Sequence, residues 1–183
     1  PLTSHGPYYI NLNAREQDKI DSSVERIIQT AKISDLCGAE SMTFHAAFYM
    51  KDSPYDVFDL VEKSINVIEE RLSRLDIELE LRPELTGKTS QFGSLDELII
   101  LTKNIYSVKP CLDFSHLYAR TNEFNDYESI MSVLNRLEEE LGRNALDTMH
   151  IHVSGISSNS KGDLKHLNLN QSDFNWKDMI KAL

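Results

Sequence analysis

Apolar residues recur at helical spacing across residues 13–36, at Ile20, Val24, Ile27, Ile28, Ala31 and Leu36. That stripe predicts a helix lying with one face on a sheet, and Gly38 follows as a stop signal. The compact run Ser41-Met42-Thr43-Phe44-His45 predicts a short strand buried on both faces. Ser53 and Pro54 open a second helix as N-cap and first helical residue. Its stripe is Val57, Leu60, Val61, Ile65, Ile68 and Leu72. Residues 76–82 alternate at period two and read as a strand that Pro83-Glu84 ends. Ser94-Leu95-Asp96-Glu97 matches the capping box ahead of the apolar 98–101. Strands are expected at 108–113 and 148–153, and helices at about 125–141, closed by Gly142, and at 173–183. The polar stretch 154–162 reads as a loop.

Strands alternating with helices, without a hairpin signal, imply βα units and a parallel sheet. The architectures that fit are an open doubly wound sheet or a closed (β/α) barrel. No G-x-G-x-x-G or P-loop follows any strand, which argues against nucleotide binding. No linker-like shift in composition divides the chain, so 1–183 is expected to be a single domain. Its 183 residues are 40% hydrophobic and 26% charged, which are globular proportions. No apolar run approaches the ~20 residues that span a bilayer, and no secretory signal is evident. Cys37 and Cys111 share no metal or redox spacing and read as reduced core thiols of a cytoplasmic protein. A net charge of −10 argues against a general nucleic-acid binder, which needs a basic footprint.

Residues able to bind metal fall at the C-terminal ends of the strands. His5 follows a short opening strand, His45 ends the second, Glu84 follows Arg82-Pro83, Asp113 and His116 end the fourth, and His152 ends the fifth. Successive members from His5 through His45, Glu84 and Asp113 to His152 are 29 to 40 residues apart. That interval is about one βα unit. In a parallel barrel such strand ends share one face, so separate units would deliver histidines and carboxylates to a common volume. Imidazole with carboxylate suits zinc, manganese or iron rather than calcium. Other polar residues have plainer readings. Glu78 and Glu80 suit solvated or paired strand positions, Asp96 and Glu97 a helix start, and 138–140 an exposed helix face. Trp176 suits packing. His150 suits a hydrogen-bonded structural role, although it shares a strand face with His152.

At these residues the chain resembles the endonuclease IV family of apurinic/apyrimidinic endonucleases, within the xylose-isomerase-like barrel superfamily. The resemblance rests on His5-Gly6-Pro7-Tyr8-Tyr9-Ile10-Asn11-Leu12, Phe44-His45, Glu84-Leu85-Thr86-Gly87-Lys88 and Gln91-Phe92-Gly93. It continues through Cys111-Leu112-Asp113-Phe114-Ser115-His116, His152 and His166-Leu167-Asn168-Leu169. His-x-His-x-Ser-Gly-Ile in place of His-x-Asn-Asp points to a divergent archaeal-type branch. The family cleaves the phosphodiester 5′ to an abasic site with three zinc ions. The resemblance therefore implies that His5, His45 and Glu84 hold one Zn2+. Glu84 would bridge to a second ion that Asp113 and His152 also bind, and His116 and His166 would hold a third. It implies Glu84 as the residue that orients or deprotonates the attacking water, Tyr8 as a substrate contact, and abasic duplex DNA as the partner.

The chain departs from the family pattern at three places. Leu164 stands where the third metal's aspartate is expected, with Asp163 one residue away. The glutamate of the last strand and the arginine of the early strands have no counterpart. By the same pattern the chain covers about five of the eight βα units, from near the third strand to the seventh helix. An incomplete barrel with open edges is thus expected, with self-association as one way to cover them. Two other functions remain open at this stage. One is a sugar isomerase or epimerase using a single ion for proton transfer at a carbonyl. The other is a non-catalytic domain.

Overall fold

The computed structural model describes residues 1–183. Five short strands run parallel: β1 (Thr3–His5), β2 (Ser41–Phe44), β3 (Glu80–Pro83), β4 (Cys111–Asp113) and β5 (His150–His152). β1 pairs with β2 and β2 with β3, while β4 pairs with β5. Parallel bridges from Leu81 to Val108 and from Glu84 to Cys111 join the two sets. The result is one curved parallel array in chain order, a partial barrel.

Helices cover its outer face because the apolar stripes dictate it. α1 (Gln17–Leu36) buries Val24, Ile27, Ile28 and Ala31, and α2 (Pro54–Ser73) buries Val57, Val61, Ile65, Ile68 and Leu72. They share one core with the outward-facing strand residues Met42, Phe44, Leu81 and Leu112. Each such side chain contributes about 1.5–3 kcal/mol on leaving water. Ser53 caps α2 with Pro54 at its first position, as its sequence predicts. The capping box of Ser94 and Glu97 starts α3 (Leu95–Asn104). α5 (Tyr127–Leu141) ends at Gly142, and α7 (Trp176–Ala182) closes the described chain.

Several expectations are corrected. The strand foreseen over 76–82 begins to pair only at Glu80, because Asp76 turns the chain in a left-handed conformation, φ 57°. α4 (Phe114–Thr121) starts directly at the end of β4, and a short α6 (Arg143–Asp147) follows α5. The loop expected over 154–162 is instead the start of an antiparallel hairpin, β6 (Gly155–Asn159) and β7 (Gly162–Leu167). Cys111 is a core thiol, but Cys37 is exposed, because α1 ends there and its C-terminal turn faces solvent.

Candidate metal centre

Side chains alternate along a strand, so positions two apart share a face. Met42 and Phe44 go outward to the helices, and Leu112 likewise. Asp113 on β4 and His152 on β5 face inward in register. His5, His45 and Glu84 complete the ring at the ends of β1, β2 and β3. A cavity of about 450 Å³ is lined by all seven expected ligands, His5, His45, Glu84, Asp113, His116, His152 and His166, with Tyr8 at its mouth.

Glu84 is the hub, 3% exposed, and its two oxygens divide the surrounding groups. Oε2 lies 3.0 Å from His5 Nε2 and 3.2 Å from His45 Nε2. Oε1 lies 2.9 Å from His152 Nδ1 and 3.6 Å from His116 Nδ1. Two sets of donor atoms result, His5/His45/Glu84 and Glu84/Asp113/His152, each within 4.8 Å. Burial pushes the Glu84 carboxyl up, but hydrogen bonds from His152, His45 and His5 outweigh it and hold the group far below the carboxylate range. The hydrogen bond to Glu84 raises His152. Burial lowers His5, yet Glu84 and the Gly6 carbonyl together raise it.

Backbone carbonyls orient the rings. His5 Nδ1 donates to Gly6 O at 2.6 Å, which aims Nε2 at Glu84. His116 Nδ1 donates to Leu85 O at 3.0 Å, leaving its Nε2 free. Asp113 both belongs to the second donor set and caps a helix. Its Oδ1 caps α4, accepting from His116 N at 2.8 Å and Ser115 Oγ at 2.6 Å. A D-x-x-H reading with Asp113 as N-cap would have exposed α4 in the sequence.

His166 comes to the site only because of the hairpin. Its ring stands 5.3 Å from that of His116, and its Nδ1 is 2.7 Å from Ser154 Oγ. Ser154 and Ser115 were not singled out by sequence, and together they link Asp113 to His166. Leu164 is exposed on β7. Asp163 is not among the residues lining the cavity; its carboxylate lies on Gly87, where a Cβ would come within 2.6 Å of Oδ1. Tyr8 is 72% exposed and its ring stands 5.1 Å from His5 and edge-on to His45.

The donor set fits metal. Two buried carboxylates and five imidazoles, of which His116 alone is buried, converge, and backbone carbonyls hold the rings of His5 and His116 from behind, which is how metal ligands are held. A parallel barrel with polar residues collected at the C-terminal ends of its strands defines a class of protein in which that face carries the site. The family model for xylose isomerase-like TIM barrels matches residues 1–183, and the chain belongs to that family. The uncharacterized protein MJ0133 of Methanocaldococcus jannaschii is 43% identical over 183 residues, covering 100% of this chain and 66% of that protein. Among solved structures, endonuclease IV of Thermus thermophilus superposes with a TM-score of 0.72 at 23% identity, over 100% of this chain and 63% of that one. A D-tagatose 3-epimerase-like protein superposes with a TM-score of 0.76 at 15% identity, over 99% and 65%. The chain thus spans about two thirds of the proteins it matches. The partial barrel and the resemblance to endonuclease IV read from the sequence agree with these comparisons.

Proposed function

We propose that this chain carries most of the centre of a zinc-dependent phosphodiesterase that acts on DNA at abasic sites, as its resemblance to endonuclease IV suggests. The observation that supports this reading is the division of Glu84 between two donor sets, with five imidazoles and two carboxylates around one cavity. Such a carboxylate suits two neighbouring ions better than one. His5, His45 and Glu84 would hold one, and Glu84, Asp113 and His152 the next. His116 and His166 would hold a third more weakly, because Leu164 supplies no carboxylate there. When bound, the ions lower the pKa of water and neutralise charge on a phosphate.

The chain's own groups have distinct tasks. Glu84 stays ionised and, placed between the two donor sets, would orient the attacking water. The Gly6 and Leu85 carbonyls keep His5 and His116 in the tautomers that leave Nε2 toward the site. Tyr8, beside His5 and His45 at the rim, is placed to pack on the substrate. The test is metal analysis of the purified protein together with nicking of abasic duplex DNA. Expected are more than one equivalent of zinc and nicking that EDTA abolishes; bound metal without nicking overturns the reading. The likeness in fold to a D-tagatose 3-epimerase-like protein favours a second reading, proton transfer on a ketose. One equivalent of metal with ketose turnover would establish that one instead.

A further inference from the structure

A second layer of donor atoms lies directly beneath the Glu84 centre. Asp113 pairs in register with His152, and one alternation lower Cys111 pairs with His150. All four therefore face the barrel interior. Cys111 Sγ and ring nitrogens of His150 and His152 lie within 4.8 Å of one another. The Nε2 atoms of His150 and His152 are 3.2 Å apart.

Packing alone does not account for this layer. Cys111 is fully buried, which by itself describes an inert core thiol. Two imidazoles converging on it are not explained that way. His150 Nδ1 is buried without a hydrogen-bond partner. Buried polar atoms are rarely left so. Arg82, the inward cation of β3, is already engaged by Glu80 at 2.6 and 3.1 Å and by the Thr148 carbonyl at 2.9 Å.

We propose that Cys111, His150 and His152 form a second metal site, stacked below the Glu84 centre, for a borderline-soft divalent ion of the zinc class. Sulfur with two imidazoles is a zinc-type donor set, and three protein ligands leave a fourth position open. His152 can serve both layers, because Nδ1 faces Glu84 and Nε2 faces His150. Binding forms a sulfur–metal bond, and the thiol proton of Cys111 leaves to solvent. When the upper layer also draws on Nδ1, the remaining ring proton of His152 leaves as well. No electron changes hands. Burial, aided by the Glu84 charge, pushes the free Cys111 thiol well up, so the ion itself must stabilise the thiolate.

The site stands independently of the phosphodiesterase reading, and cobalt(II) is the probe that separates them. A thiolate ligand gives cobalt a near-ultraviolet charge-transfer band, which the all-nitrogen-and-oxygen Glu84 centre cannot produce. Titration of the full chain with Co2+ alone should develop this band and retain it in Glu84→Gln. Cys111→Ser, nearly isosteric, should abolish the band and lower binding by about one equivalent. His150→Gln, which leaves the thiol untouched, should weaken the band's cobalt affinity by at least about tenfold. Cobalt binding without the band overturns the proposal. Survival of the band in Cys111→Ser would assign it to exposed Cys37, and its loss in Glu84→Gln would assign the thiolate to the upper ion; either result overturns the second site.

Discussion

Arg120 on α4 clamps the loop that follows Glu84, and its removal should weaken the site without touching a ligand. Its Nη1 donates to the carbonyls of Lys88 at 2.6 Å and Gln91 at 3.0 Å, with Thr86 Oγ1 at 3.1 Å and Thr86 O at 3.3 Å. One Nη carries two hydrogens, so two of these bonds dominate. Each charge-assisted bond is worth about 1.5–3 kcal/mol, and partial exposure puts both at the lower end, for about 3 kcal/mol together. Arg120→Met keeps the apolar stem and removes the fork. For a chain of this length the loss corresponds to a fall in Tm of about 6–12 °C. The same loop supplies Leu85 O, which holds the His116 ring, so zinc affinity should also drop by about 10–100-fold. Thermal denaturation of the metal-free protein and a competitive zinc titration read the two effects separately. A variant with wild-type Tm and wild-type zinc affinity would refute the clamp.

Other outcomes follow from single features. A thiol reagent should titrate one cysteine in the native protein, exposed Cys37, and reach buried Cys111 only after unfolding; two fast thiols would contradict that burial. Burial raises the Glu80 carboxyl, but Lys109 and Arg82 outweigh it and leave it lowered. Glu80 therefore contributes stability above the ordinary carboxylate range, and that contribution is lost as pH falls through its folded value. Glu80→Gln should flatten the acid limb of a stability profile, and an unchanged limb argues against the pairing. Gly162 has φ 106°, and a Cβ there would meet the Gly87 carbonyl oxygen at 2.1 Å. Gly162→Ala should undock the hairpin, seen as faster hydrogen exchange at 155–167 with helix protection retained. On the phosphodiesterase reading, the cavity offers a phosphate no Lys or Arg, so stripping the metal should abolish DNA binding; binding that survives EDTA would refute a metal-held phosphate.

The βα units were legible because their signals are local. The stripes of α1 and α2, Ser53-Pro54 and the Ser94–Glu97 box each act within a few residues, and the ligand-type residues recur once per unit at strand ends. The hairpin was not legible, because its stability is not its own. β6 reads Gly155-Ile156-Ser157-Ser158-Asn159, with Ile156 as its one large apolar anchor, buried at 3% exposed. The turn lacks the Asn-Gly signature and takes its shape from Gly162 lying on Gly87, a contact 75 residues away in sequence. Its register slips at Ser157/Ser158, which further blurs alternation. The role of His150 was hidden for the opposite reason. A period-two pair of histidines says that the rings share a face, but only the pairing of β4 with β5 sets Cys111 beside them.

The charge of the donor set ties metal content to substrate class. Around the cavity the only carboxylates are Glu84 and Asp113, and the other five ligand-type residues are imidazoles, which bind as neutral groups while the layer below is empty. One divalent ion therefore leaves the centre neutral, suited to a polarised carbonyl on an uncharged sugar. A second ion makes it doubly positive, and a third more so, which suits an anionic phosphate. In a chain whose net charge is −10, such a positive centre runs against the overall charge and would draw an anion to the strand ends. A carboxylate-rich centre would need more ions to reach the same charge. A centre with few carboxylates and many histidines thus favours the proposed phosphodiesterase over the ketose reading, provided that Glu84 is shared between ions as its two oxygens are shared between histidine groups.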